Sequence, residues 1–112
     1  MRKLLVAAVV AALSAVLAAQ ALAATRNIVI GDDYYVRKGS PPTVTVKRGT
    51  TVKWRWTGRD LHNVAVTRGP VKFRSSLKDS GTFSRKVKRT GTYKIHCTIH
   101  QPDMRMTLKV VR

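Results

Sequence analysis

Beyond residue 40 the chain alternates apolar and polar positions with a period of two. In 43–46, Val44 and Val46 alternate with Thr43 and Thr45, and Lys47-Arg48-Gly49-Thr50 then turns the chain. In 51–56, Val52, Trp54 and Trp56 share one face while Lys53 and Arg55 take the other, the signature of a half-buried strand. Further strands are expected over 61–66 and 83–87. After the Arg89-Thr90-Gly91 turn, Tyr93, Ile95 and Cys97 fall on one side of a strand and His96 on the other. The chain ends with Met106, Leu108 and Val110 alternating against Thr107, Lys109 and Val111. No stretch after residue 24 carries a helical period, so short strands joined by Gly-containing turns indicate an all-β antiparallel sandwich or barrel.

Two segments fit this pattern less well. Residues 67–81 read as a long loop with a short strand near Phe73. Asp32-Asp33 and Tyr34-Tyr35 read as a turn leading into an early strand, with no motif to make the aspartates an acid/base pair. Both tryptophans read as core packing.

The first residues follow a different rule. Arg2 and Lys3 precede a run of Ala, Val and Leu, and Ala21-Leu22-Ala23 supplies the small-x-small pattern of a signal peptidase site. That order predicts a secretory signal peptide over 1–23, cleaved after about Ala23, and one domain over 24–112. The alternative is a retained anchor, because the apolar run approaches the length of a membrane span. The expected location follows export: the periplasm, or the extracellular or cell-envelope side.

Charge adds a constraint on partners. The chain has 22 Lys and Arg against 5 acidic residues, for a formal charge of +17, and losing Arg2 and Lys3 leaves +15. Such a surface attracts acidic proteins or anionic lipid headgroups. The charges are spread along the chain rather than gathered in one basic arm, and with export this disfavours nucleic acid.

Cys97 is the single cysteine. It cannot form an internal disulfide, and an idle thiol is an oxidation liability outside the cell. A bound metal would protect it. The segment KIHCTIHQPDM places Cys97 at a strand end, His100 three residues later and Met104 beyond it. His96 points to the opposite face and is a poor co-ligand, which leaves His62 as the second imidazole. Two imidazoles, a thiolate and a weak thioether form the trigonal set with a long axial ligand that suits copper in both oxidation states. Zinc could take His62, Cys97 and His100, but structural zinc wants a fourth strong ligand. Singly, each residue has a plainer reading as core packing.

These residues resemble the cupredoxins, specifically the plastocyanin and amicyanin group, over about 28–111. The similarity is most specific in LHNV and GTYKIHCTIHQPDM, and TVTVKRGTTVKWRW is similar to the strand-turn-strand before the first ligand. The resemblance implies a Greek-key β-sandwich of about seven to eight strands. It also implies one type 1 copper held by His62, Cys97 and His100, with Met104 axial. It further implies that the Asn63 N–H bonds the Cys97 sulfur while the Asn63 side chain ties two ligand loops together. Met106 stands where the family usually has Gly and is the second axial candidate, its plainer role being core packing. Ile99 stands where plastocyanin and amicyanin have Pro, so its N–H is expected to give the sulfur a further hydrogen bond and raise the potential.

The function this implies is one-electron transfer between redox partners by a monomeric protein, with an acidic docking surface expected on the partner. An anionic membrane surface is a second partner class. The competing readings are a copper chaperone or resistance protein and a metal-free polyanion binder. No nucleophile–base pair or phosphate loop points to an enzyme.

Overall fold

The computed structural model describes residues 24–112, and the expected leader over 1–23 lies outside the described residues. Among these residues eight strands form two four-stranded sheets: β1 (Thr25–Gly31), β2 (Tyr34–Tyr35), β3 (Thr43–Lys47), β4 (Thr51–Trp56), β5 (Ala65–Arg68), β6 (Thr82–Lys86), β7 (Gly91–His96) and β8 (Arg105–Val111). One sheet has the order β2-β1-β4-β6 and the other β3-β8-β7-β5. Consecutive strands repeatedly fall in different sheets, as in a Greek-key sandwich. Two pairs are parallel: β1 with β4 and β3 with β8.

The alternation read from the sequence is what the sandwich buries. Val52, Trp54 and Trp56 of β4 face inward, as do Tyr93 and Ile95 of β7 and Met106, Leu108 and Val110 of β8. Burying side chains of this size contributes roughly 1.5–3 kcal/mol each. A one-residue slip of β4 would carry Lys53 and Arg55 inside instead, so the register is strongly specified. Trp54, Phe73, Phe83 and Tyr93 form a chain of tilted aromatic contacts with centroids 5.8–6.2 Å apart.

The sequence expectation fails at two places. The strand expected over 61–66 begins only at Ala65. Before it, His62 makes an isolated two-bond bridge with Lys78, its N–H donating to Lys78 O at 2.9 Å and its carbonyl accepting from Lys78 N at 3.0 Å. The short strand expected near Phe73 is present as an isolated bridge, Arg74 to Ala65, with the Val66 N–H donating to Phe73 O at 3.0 Å. Strand β1 was not anticipated. Its partner β4 lies far along the chain, and Ile28-Val29-Ile30 shows no clean alternation.

Charge is distributed unevenly from end to end. β7 starts at Gly91 and runs to His96, beside Cys97. At its starting end the β3–β4 turn meets the β6–β7 connection through Gly49 N–H to Val87 O, and meets the last strand through Arg48 N–H to Val111 O. This gathers Lys47, Arg48, Lys88, Arg89 and Arg112. All five aspartates lie toward the other end. Asp32 and Asp33 contact His62 and His100, and Asp60 and Asp103 flank His62 and Met104 in the chain. Asp79 follows Lys78, the bridge partner of His62.

Candidate metal centre

Two segments distant in sequence converge where β7 ends. Cys97 is fully buried just past β7, and its N–H donates to Met104 O at 3.0 Å. The chain then turns tightly: His100 N–H reaches Cys97 O at 3.4 Å and Met104 N–H reaches His100 O at 3.0 Å. This folding-back brings the His100 ring to its neighbour, with Nδ1 3.4 Å from Cys97 Sγ. His62 arrives from the opposite side with its backbone fixed by the Lys78 bridge. The carbonyl of His62 also accepts the Trp56 indole N–H at 3.0 Å, so Trp56 holds a ligand as well as filling the core. His62 Nδ1 lies 3.2 Å from His100 Nδ1. The candidate atoms of His62, Cys97 and His100 all lie within 4.8 Å of one another.

Met104 is completely buried, on the backbone turn that links Cys97 and His100. Met106 is buried on β8 opposite Ile95, an ordinary core position. His96 lies outside the cluster, with Nε2 3.4 Å from the Gln101 side-chain amide nitrogen. Burial, and then the nearby Arg74 charge, lowers its pKa.

Asn63 performs one of the two roles expected of it. Its side-chain oxygen accepts the Thr98 N–H at 2.8 Å and lies 3.3 Å from the Thr98 hydroxyl, tying the His62 segment to the loop after Cys97. Its backbone carbonyl accepts the hydroxyl of buried Tyr35 at 2.6 Å. Burial, followed by the proximity of Cys97, pushes the Tyr35 pKa far up and keeps that phenol a donor. The expected sulfur bonds are not made. Among the described residues neither the Asn63 nor the Ile99 amide donates to Cys97 Sγ, which instead meets His100 Nδ1. Ile99 is half exposed at the crest of the turn.

The aspartates are what sequence reasoning missed. Asp32 Oδ1 lies 3.0 Å from His62 Nε2 and accepts the N–H groups of Arg59 and Asp60, each at 3.0 Å. The Asp60 N–H first, then the His62 ring and the Arg59 N–H, hold the Asp32 carboxyl at about 2, below its ordinary 3.8. Gly58 makes room for it, because a Cβ there would come within 2.2 Å of Asp32 Oδ1. Asp33, in the left-handed region at φ 69° that Asp tolerates, places Oδ1 3.2 Å from His100 Nε2. No local motif marks this pairing; it exists because the β1–β2 turn docks onto the loop before His62.

The donor set fits a metal ion. With each outer Nε2 beside a carboxylate and carrying the ring proton, both inner Nδ1 atoms present lone pairs to one another and to the sulfur. A cation relieves that crowding of acceptors. The separations of 3.2 and 3.4 Å are close to the roughly 3.3–3.8 Å kept by nitrogen and sulfur donors sharing one ion. A family model for copper binding proteins of the plastocyanin/azurin family matches residues 38–111.

The chain is a cupredoxin of that family.

Solved structures agree. A Met-to-Ala variant of amicyanin in its Cu(I) form is similar at 29% identity, covering 83% of this chain and 88% of that one with a TM-score of 0.62. A purple cupredoxin from Nitrosopumilus maritimus shares the fold at 21% identity, covering 76% and 98% with a TM-score of 0.63. A copper-containing nitrite reductase from Thermus scotoductus SA-01 shares the fold at 20% identity, but this chain spans only 23% of it (81% of this chain, TM-score 0.63). No protein of curated function matches by sequence. For this cupredoxin, family and donor group together fit one type 1 copper at His62, Cys97 and His100.

Proposed function

We propose that this cupredoxin is an exported one-electron carrier whose copper ligands are His62, Cys97 and His100, with Met104 axial. The observation that carries the reading is the meeting of two imidazole nitrogens and one sulfur, held from two distant segments with His62 and Cys97 fully buried. When bound, copper supplies the Cu(II)/Cu(I) couple. The protein's task is to hold the ligands in one arrangement that serves both states, so that little moves when an electron does. His62 is fixed by Lys78, Trp56 and Asp32, and the loop carrying Cys97 and His100 is fixed by Asn63 and by its own turns. Cys97 and His62 are sealed from solvent, which excludes water from the thiolate.

The His100 side chain is 28% exposed and forms the route to the surface. Leu61 and Ile99, each next to a ligand in the chain, are half exposed and give a small apolar rim for brief docking. Export rests on the leader pattern over 1–23. The positive surface favours an acidic redox partner, with faster encounter at low salt.

The test is direct. Purified protein given Cu(II) should develop an intense visible thiolate-to-copper band and a reversible one-electron couple, and Cys97→Ser should lose both. Colour and redox cycling that survive the substitution would refute the reading.

A further inference from the structure

Two adjacent carboxylates stand on the outer nitrogens of two imidazoles that belong to one site. Asp32 contacts His62 Nε2 at 3.0 Å and Asp33 contacts His100 Nε2 at 3.2 Å. This is not incidental surface charge. Asp32 is fixed by two backbone N–H groups and by the space left at Gly58. Gly31, immediately before the pair, packs so closely on the Tyr34 ring that a Cβ would fall 2.1 Å from it. The pair is also unexpected on composition, since the chain has only 5 acidic residues against 22 basic ones.

Resting on the copper reading above, we propose that Asp32 and Asp33 are a matched pair of positioning residues. They orient both imidazoles with Nδ1 inward, and their two negative charges bias the bound metal toward the more positive oxidation state. The reasoning is electrostatic. A carboxylate on the far nitrogen makes the ring a stronger donor and adds negative potential at the centre. That stabilises Cu(II) more than Cu(I), because the interaction scales with the charge of the ion. Asp33 extends this effect to the solvent-facing ligand. Its side chain is 62% exposed, against 38% for Asp32, so solvent screens it more and Asp32 has the larger effect.

The test separates electrostatic bias from structural support. Asp32→Asn, Asp33→Asn and the double variant keep the side-chain shape, and Asn tolerates the left-handed backbone at position 33. Affinities for Cu(II) and for Cu(I) are measured separately by chelator competition, together with the midpoint potential. In the double variant Cu(II) affinity should fall about tenfold while Cu(I) affinity holds, raising the midpoint by about 59 mV. Each single variant should move it less, Asp32→Asn the more. Asp79→Asn, which removes the same charge without touching a ligand, should move it least. Equal losses in both affinities would mean a merely structural role and would overturn the proposal, as would an unmoved potential or one matched by Asp79→Asn. A protein that takes no copper and shows no visible band fails earlier, at the proposed function itself.

Discussion

Replacing Asn63 with Ala cuts the tie between the two ligand-bearing segments. The Asn63 oxygen accepts the Thr98 N–H at 2.8 Å from a position only 4% exposed. A net hydrogen bond contributes about 1 kcal/mol, and a donor left without a partner costs a further ~1–3 kcal/mol. Thr98 is partly exposed, so water recovers some of that loss and the total comes near 2 kcal/mol. For a domain of this size such a loss lowers the melting temperature by roughly 8–16 °C. The hydroxyl contact at 3.3 Å is longer and weaker, so Thr98→Ala, which keeps the N–H, should cost no more than about 0.5 kcal/mol. Urea or thermal unfolding of the copper-free variants reads both numbers without involving the metal. Should Asn63→Ala cost no more than Thr98→Ala, the backbone tie is not what joins the loops.

Two other substitutions probe the supports of the site. Gly58→Ala drives a Cβ into Asp32 Oδ1, so it should raise the midpoint potential as Asp32→Asn does while removing no charge; an unchanged potential would show that Asp32 can retreat without consequence. Trp56→Phe removes the indole bond to the His62 carbonyl and should weaken copper binding by about tenfold. Trp54→Phe removes an indole N–H that has no partner among the described residues, so chelator competition should find its copper affinity unchanged.

Local periodicity made much of this molecule legible. β4, β7 and β8 bury the residues their alternation selected, and the same alternation separated Cys97 from His96. The spacing from Cys97 to His100 worked because a tight turn closes over three residues. What escaped depends on contacts between distant segments. β1 pairs in parallel with β4, His62 is held by Lys78 in place of a regular strand, and the Asp32-Asp33 turn reaches rings far along the chain. Periodicity carries no trace of such pairings. The sulfur's hydrogen bonds were not legible either: Ile99 has an N–H where Pro has none, but what that N–H meets depends on the whole loop.

The uneven placement of charge makes the molecule an electric dipole as well as a cation. The proposed electron port lies at the less positive end, where the aspartates are interleaved with Arg37, Lys38, Arg59, Lys78 and Arg105, and the more basic end, with Lys47, Arg48, Lys88, Arg89 and Arg112, lies the length of β7 away, about 20 Å. An anionic partner of the kind proposed above would be pulled in by the net charge but turned toward the more basic end, and would have to reorient before electron transfer. Its rate should respond to salt less steeply than for a uniformly charged +15 sphere. At a sheet of anionic headgroups the same torque stands the molecule on its cationic pole, leaving the port facing the water.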